Sequence, residues 1–190
     1  TVPHREFITV ESDGYTLNGY IIKPMDFDSN KKYPVIMQQY SGPGSQQVLN
    51  KWSLDWQEYF ATQGFIIACV DGRGTGGREK AFQSVVYQKL GKYESIDQIA
   101  AAKYMASLPY VDAKHIGIWG WSYGGYFMNW LQGHDHPFKC LASMMGLYDL
   151  RSMWGTTEEL WFPNFDLKGQ PWNSELYKKW SPSEYVENFK

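Results

Sequence analysis

The stretch that most constrains the fold of this chain is residues 116–125, where a β-branched and aromatic run leads directly into Gly-x-Ser-x-Gly. The residues that follow, 126–131, are compatible with a helix. A strand, a sharp turn and a helix in this order predict that Ser122 lies on a strained turn at the end of the strand. Gly120 and Gly124 have no Cβ and leave room for neighbouring backbone beside that turn. A chance match is the alternative, and the strand-to-helix context makes it the weaker one.

Composition excludes several classes of function. The 190 residues carry a net charge of −2 and no basic stripe, so nucleic acid is not expected as a partner. No apolar run is long enough for a membrane span, and no Cys/His spacing resembles a zinc site. The glycine-rich residues 71–77 match neither a P-loop nor a dinucleotide loop and are interpreted as a structural or active-site wall loop. We therefore expect no metal and no cofactor. Cys69 and Cys140 lie in apolar runs and are predicted to be buried free thiols.

The order of the predicted elements indicates an α/β protein. Two strands, residues 6–10 and 17–22, flank the turn Asp13-Gly14, and apolar strands alternate with helices after them. This alternation predicts parallel β-α-β units with helices on both faces. The predicted fold is an α/β-hydrolase fold, with a mostly parallel doubly wound sheet and an N-terminal antiparallel hairpin. The later predicted strands are residues 35–40, 65–70, 116–121 and 138–145, and the predicted helices are residues 52–62, 94–108 and the one after Ser122.

Two segments carry more specific expectations. In the helix at 94–108, helical spacing predicts an apolar face formed by Ile96, Ile99, Ala100, Lys103 and Tyr104. Residues 146–170 are rich in aromatic side chains without a clear period and are predicted to form a cap or pocket wall. A short helix at 175–180, capped by Ser174, is predicted after them.

Ser122 needs a general base, an orienting carboxylate and an oxyanion hole before it can act as a nucleophile. His134 and His136 follow the predicted helix after Ser122, which places them about 18 Å away along it. His115 begins the preceding strand, about 23 Å away, and His4 is near the N-terminus. Surface or capping histidines are the better interpretation of all four.

The sequence offers better candidates for the oxyanion hole than for the general base. The backbone N–H of Tyr123 is one natural donor. The second donor should come from the loop after an earlier strand, residues 40–44, where Pro43 has no N–H. The Tyr40 hydroxyl and another backbone N–H of that loop are both candidates, and a strand-end core aromatic is an equally good interpretation of Tyr40.

A nucleophile without a base means either that the chain is not a hydrolase or that its base lies beyond residue 190. The apolar strand at 138–145 would be an exposed sheet edge if the fold ended there. We therefore expect residues 1–190 to be a partial domain that lacks its last strands and helices, together with the acid and the histidine. The chain alone is expected to be inactive.

Four ordered motifs resemble the catalytic domain of the prolyl oligopeptidase family of serine peptidases, and most closely its dipeptidyl peptidase IV branch. They are Gln39-Tyr40-Ser41-Gly42-Pro43-Gly44-Ser45-Gln46, Asp71-Gly72-Arg73-Gly74-Thr75-Gly76, Asp97-Gln98-Ile99-x-Ala101-Ala102 and Gly120-Trp121-Ser122-Tyr123-Gly124-Gly125-Tyr126.

The resemblance implies roles for three residues: Ser122 as the nucleophile, the Tyr123 N–H as one oxyanion donor and the Tyr40 hydroxyl as the other. Trp121 and Trp154 are further candidates for contacts with substrate. The resemblance also implies an upstream β-propeller, an acid and a histidine downstream of residue 190, and an extracytoplasmic location. A homodimer of the intact protein is a further expectation.

The segment after residue 146 departs from the dipeptidyl peptidase IV pattern. It lacks the paired tyrosines that line the proline pocket in that branch, so cleavage after proline is not implied. Trp161-Phe162-Pro163 and Trp180-Ser181-Pro182 look more like the acylaminoacyl-peptidase branch. The expected function is hydrolysis of oligopeptides through an acyl-enzyme on Ser122. An esterase and a non-catalytic module that retains the elbow are the alternatives.

Overall fold

The computed structural model describes residues 2–189, which form a six-stranded sheet with helices on both faces. The strand order is β1-β2-β4-β3-β5-β6. The strands are β1 (Arg5–Ser12), β2 (Tyr15–Ile22), β3 (Tyr33–Gln38), β4 (Ile66–Asp71), β5 (Val111–Trp121) and β6 (Cys140–Met144). The helices are α1 (Trp56–Thr62), α2 (Lys80–Ser84), α3 (Lys92–Ser107), α4 (Tyr123–Gln132), α5 (Leu150–Thr156), α6 (Trp161–Asp166), α7 (Leu176–Lys179) and a 3-10 helix at Pro182–Asn188.

The N-terminal hairpin closes on the predicted turn. Ser12 pairs with Tyr15, which leaves Asp13 and Gly14 as a two-residue loop with φ of 48° and 80°. Positive φ at both loop positions is the type I′ geometry that matches the twist of the flanking strands. β2 then pairs antiparallel with β4, while β3, β4, β5 and β6 are joined by parallel pairing. The predicted mostly parallel sheet with an antiparallel hairpin is confirmed.

The central strand β4 is buried on both faces because its side chains alternate between two cores. Ile66, Ala68 and Val70 belong to the larger core, beneath α3 and α4. Ile67 and Cys69 belong to the smaller core, beneath α1. This two-sided burial explains why the strand is a continuous apolar run in the sequence.

Helix α1 begins four residues later than the spacing of aromatic residues predicted. Asp55 is its N-cap and accepts a hydrogen bond from Gln57 N at 3.0 Å, while the Glu58 carboxylate accepts one from Asp55 N at 2.9 Å. This capping box fixes the start of the helix. Trp52 therefore lies outside the helix and is 81% exposed. The prediction that α1 includes residue 52 was wrong.

The buried face of α3 is polar at its N-terminal end, and the predicted apolar face was wrong. Glu94, Asp97 and Gln98 are buried, whereas Ile96 is 38% exposed. Each buried polar side chain has a specific partner; that of Gln98 is the carbonyl of Val70, at 2.8 Å. Because these partners lie on distant parts of the chain, the hydrophobic period of the helix did not indicate its orientation.

Among the side chains on the buried face of α3, the Asp97 carboxylate accepts the most hydrogen bonds. It accepts hydrogen bonds from Ser12 Oγ, from Arg73 N and from the Arg73 guanidinium, at 2.7 to 3.2 Å. The other end of the guanidinium pairs with Asp13 at 2.9 Å, and its faces lie against the rings of Tyr15 and Tyr93. One buried ion pair thus joins the β1–β2 hairpin, the loop after β4 and α3.

Strand β6 forms one edge of the sheet, and its alternate side chains are exposed. Cys140, Ala142 and Met144 are on the exposed side. The prediction that Cys140 is a buried thiol was therefore wrong, because Leu141 and Ser143 face α4 and the core while the alternate side chains of β6 point to the opposite, exposed face. Cys69, in the central strand β4, is buried and free as predicted.

The segment predicted as an irregular cap contains two short helices, α5 and α6. Asp149 caps α5 by accepting a hydrogen bond from Arg151 N at 2.8 Å. Pro163 lies in the first turn of α6, where its missing N–H costs no helical hydrogen bond. The short helix predicted at 175–180 is observed as α7. Among residues 2–189, no helix has the length and apolar character needed to cross a bilayer.

The Arg73–Asp97 pair gives a stability prediction. Arg73→Ala leaves the Asp97 carboxylate buried and unpaired, and we expect the free energy of unfolding to fall by roughly 3–5 kcal/mol. Arg151→Ala is the control, because its pairs with Asp149 and Glu184 are exposed and should contribute less than about 1 kcal/mol. Urea unfolding followed by far-UV circular dichroism measures both, and equal losses in the two variants would contradict the assignment.

Candidate active site

The candidate site lies at the carboxyl edge of the parallel strands. β3, β4, β5 and β6 all end at this edge because they run in the same direction. The segments that meet there are residues 39–48, 71–79, 122 and 145–149. In open α/β sheets this edge is where ligands bind.

Ser122 lies between β5 and α4 in a strained conformation, with φ of 56° and ψ of −116°. Its N–H donates to the carbonyl of Met144 at 3.0 Å, and its carbonyl accepts from Tyr126 N at 2.9 Å. The residue is exposed, and its side chain forms no cap hydrogen bond with α4. The hydroxyl is therefore presented to solvent at the strand end, which is the geometry that Gly-x-Ser-x-Gly predicts.

The turn fits only because the residues two positions before and two positions after Ser122 have no side chain. A Cβ on Gly120 would lie 2.2 Å from Gln39 Nε2 and 2.6 Å from the carbonyl of Gly124. A Cβ on Gly124 would lie 2.7 Å from the carbonyl of Gln39. Gln39 is buried, and its amide donates to the carbonyl of Gly124 at 2.9 Å. This hydrogen bond ties the loop that follows β3 to the first turn of α4.

The two residues that carry the predicted oxyanion donors lie near each other. Tyr123 is the first residue of α4, so its N–H has no acceptor within the helix. The Tyr40 ring folds back over Gly42, and its centroid is 6.4 Å from that of Tyr123. Within residues 2–189 the Tyr40 hydroxyl forms no hydrogen bond, so it is available to a ligand. The roles of both residues stay predictions.

The loop that carries Tyr40 is held by the glycine-rich loop after β4. The buried carboxylate of Asp71 accepts hydrogen bonds from Gln47 N at 2.9 Å and from Val48 N at 2.7 Å. Burial raises the pKa of Asp71 to about 6, although these two hydrogen bonds act against the shift. Gly44 N also donates to the carbonyl of Gly74 at 2.8 Å. Residues 71–77 therefore form a structural wall of the site, as predicted.

Glu94 supports Tyr123 from the opposite side. The Tyr123 hydroxyl donates to Glu94 Oε1 at 2.8 Å, and both side chains are buried. Glu94 Oε2 has no hydrogen-bond partner among the described residues. Burial is the main reason why the pKa of Glu94 is raised to about 7. The side chain of Tyr123 thus orients the residue whose N–H faces the Ser122 site.

The histidines lie away from Ser122. His134 follows the end of α4, where its Nδ1 lies 2.7 Å from the carbonyl of Trp130 and its ring stacks on that indole. His115 is in β5, seven residues before Ser122, and its Nδ1 lies 2.7 Å from the exposed Asp112 carboxylate. His136 follows His134 and lies near Phe138, and His4 precedes β1. None of these placements provides a base for Ser122.

The two tryptophans proposed as substrate contacts have different surroundings. Trp121 is the last residue of β5, directly before Ser122, and it is 52% exposed. Trp154 lies on α5, where its Nε1 donates to Asn164 Oδ1 at 2.8 Å and its ring packs edge-on against Trp172. The structure therefore brings Trp121 to the site, whereas Trp154 contacts other residues of the segment 150–172. Both roles stay predictions.

Sequence reasoning missed three residues that shape the site: Gln39, Asp71 and Glu94. Asp71 could have been considered from its position at the end of a buried strand, at the carboxyl edge of the sheet. Gln39 and Glu94 give no such signal, because their partners, Gly124 and Tyr123, are distant in sequence.

The elbow, the strand order and the helices on both faces together define an α/β-hydrolase fold. A model of the prolyl oligopeptidase family matches residues 52–190, which is more than half of the chain. The chain therefore belongs to the prolyl oligopeptidase family.

Curated relatives agree with this assignment. A probable dipeptidyl-aminopeptidase B of Phaeosphaeria nodorum is 47% identical over 126 residues, which cover 66% of this chain and 14% of the relative. A putative dipeptidyl aminopeptidase of Schizosaccharomyces pombe is 47% identical over 129 residues, which cover 66% of this chain and 16% of the relative. The chain thus corresponds to a small part of the length of these relatives.

Several solved structures match the whole chain. Porphyromonas gingivalis dipeptidyl peptidase 4 gives a TM-score of 0.89 at 40% identity, covering 100% of this chain and 27% of that one. Pyrococcus horikoshii acylaminoacyl peptidase gives a TM-score of 0.88 at 26% identity, covering 100% of this chain and 31% of that one.

The strain at Ser122 predicts a stability difference between two variants. Ser122→Gly should have a free energy of unfolding about 1 kcal/mol higher than Ser122→Ala, because only glycine adopts this positive φ without strain. Both variants lack the hydroxyl, so the comparison isolates the backbone. Equal unfolding midpoints in urea would show that the turn is not strained.

The raised pKa of Glu94 predicts that the stability of the protein depends on pH. The folded-state pKa of Glu94, about 7, exceeds its ordinary value of 4.5, so the folded protein keeps a proton that the unfolded chain has released. The free energy of unfolding should therefore fall as pH rises from 5 to 8, by up to about 3 kcal/mol from this group. Glu94→Gln should flatten this slope, because glutamine does not titrate, and it should keep the contact because its amide oxygen can still accept the Tyr123 hydrogen bond. Unfolding is measured at both pH values, with the exposed Glu159→Gln as the control; an unchanged slope in Glu94→Gln would refute the prediction.

Proposed function

We propose that the intact protein containing this chain is a serine peptidase that cleaves oligopeptides through an acyl-enzyme on Ser122. The observation that carries the proposal is the exposed Ser122 on a strained turn, directly before Tyr123 at the start of α4, with the Tyr40 ring centroid 6.4 Å from that of Tyr123. Membership of the prolyl oligopeptidase family supports it.

In the proposed first step, Ser122 Oγ forms a bond to the carbonyl carbon of the substrate and gives its proton to a general base. The carbonyl oxygen becomes an oxyanion and accepts hydrogen bonds from Tyr123 N–H and Tyr40 O–H. The C–N bond then breaks as the protonated base returns its proton to the leaving amine. Water attacks the acyl-enzyme in the same manner and releases the acid.

The general base is proposed to come from outside residues 2–189. The histidines of the described chain lie at the far end of β5, beyond α4 or before β1. Neutral histidine is the usual base for a serine nucleophile, because its pKa lies near neutrality. The 190-residue chain by itself is therefore proposed to be inactive.

Release of N-terminal dipeptides is the proposed mode of action of the intact protein. The curated relatives at 46–48% identity are named dipeptidyl-aminopeptidases, and the P. gingivalis dipeptidyl peptidase 4 has a higher identity than the P. horikoshii acylaminoacyl peptidase. An extracytoplasmic location and a homodimer are also proposed, on the family resemblance. Fractionation and sedimentation velocity test these two proposals.

Covalent labelling tests the nucleophile. A fluorophosphonate probe should label the intact protein at Ser122, because the probe traps an activated serine. Ser122→Ala should abolish labelling, and Ser143→Ala, in β6 at the same sheet edge, should retain it. Labelling that survives Ser122→Ala would refute the assignment.

Substitution at Tyr40 tests the oxyanion hole. Tyr40→Phe should lower kcat by roughly 10²- to 10³-fold with little change in KM, because the hydroxyl is proposed to bind the developing oxyanion. Tyr59→Phe, on the exposed side of α1, is the matched control and should leave kcat unchanged. A Tyr40→Phe enzyme with normal kcat would assign the second donor to another group of the loop.

A further inference from the structure

A cleft of about 590 Å³ adjoins the candidate site. One wall is formed by Pro43 and Gly44, in the same loop as Tyr40. Another is formed by Phe162, whose ring lies edge-on to that of Tyr123 with the centroids 6.1 Å apart. The cleft therefore adjoins the loop that carries Tyr40 and the side chain of Tyr123.

The lining of the cleft includes one carboxylate, that of Asp166, at the end of α6. The residue is 8% exposed. Within residues 2–189, no side chain or backbone N–H donates a hydrogen bond to this carboxylate. Burial raises the pKa of Asp166 to about 6, so the group is mostly ionised at neutral pH.

The other buried carboxylates of the chain show how unusual this is. Asp97 is neutralised by the Arg73 guanidinium, and Asp71 accepts two backbone N–H groups. Glu94 accepts the Tyr123 hydroxyl. Glu58 accepts a hydrogen bond from Asp55 N and lies 3.8 Å from the Arg5 guanidinium. Of these five carboxylates, only that of Asp166 has no donor within residues 2–189. The Asp166 oxygens are not among the fully buried polar atoms without a partner, so they are open to the cleft, where a ligand can supply the donor.

The remaining walls of the cleft favour a cation. Tyr87 and Phe165 lie with their ring centroids 5.1 Å apart, and Trp161 lies beside them on α6. Phe165 is 65% exposed and Trp161 is 74% exposed, so both present aromatic surface to an incoming group. Aromatic faces around a carboxylate bind guanidinium and alkylammonium groups by cation–π contact and charge-assisted hydrogen bonds.

One cationic side chain of the protein also borders the cleft. Lys80 is exposed and forms no ion pair with Asp166 within the described residues. Because this charge is exposed and screened by solvent, its repulsion of a cationic ligand is weaker than the attraction by the Asp166 carboxylate.

We propose that this cleft is a subsite that binds a cationic side chain of the peptide substrate, lysine or arginine, through Asp166 and the surrounding aromatic rings. The proposal rests on the proposed peptidase function for the identity of the ligand. It names a specificity-determining residue that takes no part in the bond-breaking steps.

Binding to the intact Ser122→Ala protein tests the subsite without turnover. L-arginine amide and L-citrulline amide differ only in the guanidinium and the neutral ureido group, and isothermal titration calorimetry measures their affinities. We expect arginine amide to bind at least about tenfold more tightly, as a charge-assisted hydrogen bond predicts. Asp166→Asn, which keeps the shape of the side chain, should remove this difference. The exposed Glu159→Gln should preserve it.

Turnover by the intact enzyme provides the second readout. A fluorogenic peptide library, varied at each position on the acyl side, should show a preference for arginine and lysine over citrulline and norleucine at one position. Asp166→Asn should lose this preference in kcat/KM, whereas the exposed Glu159→Gln should retain it. Thermal unfolding confirms that the variant is folded.

The outcomes separate the two proposals. Equal binding of arginine and citrulline amides to the protein with Asp166 intact would overturn the subsite, even if Ser122 is labelled and peptides are cleaved. A preference that persists in Asp166→Asn would overturn the role of Asp166. Failure of the fluorophosphonate to label Ser122, with the arginine preference in binding retained, would overturn the peptidase function and leave the cation site.

Discussion

The buried ion pair between Arg73 and Asp97 is the interaction on which the arrangement of this domain depends. Neither charge could be buried alone, because an unpaired ion in the interior costs several kcal/mol. The pair therefore requires the loop after β4, the N-terminal half of α3 and the β1–β2 hairpin to meet at one point. Gly72 has space only for a hydrogen here, since a Cβ would lie 2.9 Å from that of Asp97. The position of α3 follows from this contact rather than from an apolar stripe.

The same helix connects the core to the candidate site. Glu94, three residues before Asp97, accepts a hydrogen bond from the Tyr123 hydroxyl and so contacts the first turn of α4. On the other side, Gln39 bonds the carbonyl of Gly124. The strained backbone of Ser122 is thus held between contacts from α3 and from the loop after β3. Strain of this kind persists only where the surrounding structure over-determines it.

Local chemistry explains what could be predicted from the sequence. Asp13-Gly14 specifies its own hairpin, because both residues tolerate positive φ. The apolar run of β4 specifies a strand covered on both faces. Two of the failures share one cause, which is that distant segments decide the outcome: the face of α3 was set by the partners of Asp97 and its neighbours, and the exposure of Cys140 by which face of β6 is covered. The start of α1 was set locally, by the Asp55 capping box, which outweighed the spacing of the aromatic residues.

The sequence by itself determined the elbow, since only glycine at 120 and 124 permits the backbone to approach a positive-φ Ser122. It also determined the alternation of strands and helices, because hydrophobic period and turn residues act over a few positions. Only the tertiary structure decided which polar groups are paired. Whether a buried carboxylate has a donor depends on segments far apart in the chain. Asp97 and Asp166 look alike in the sequence, yet one is neutralised in the core and the other faces an open cleft.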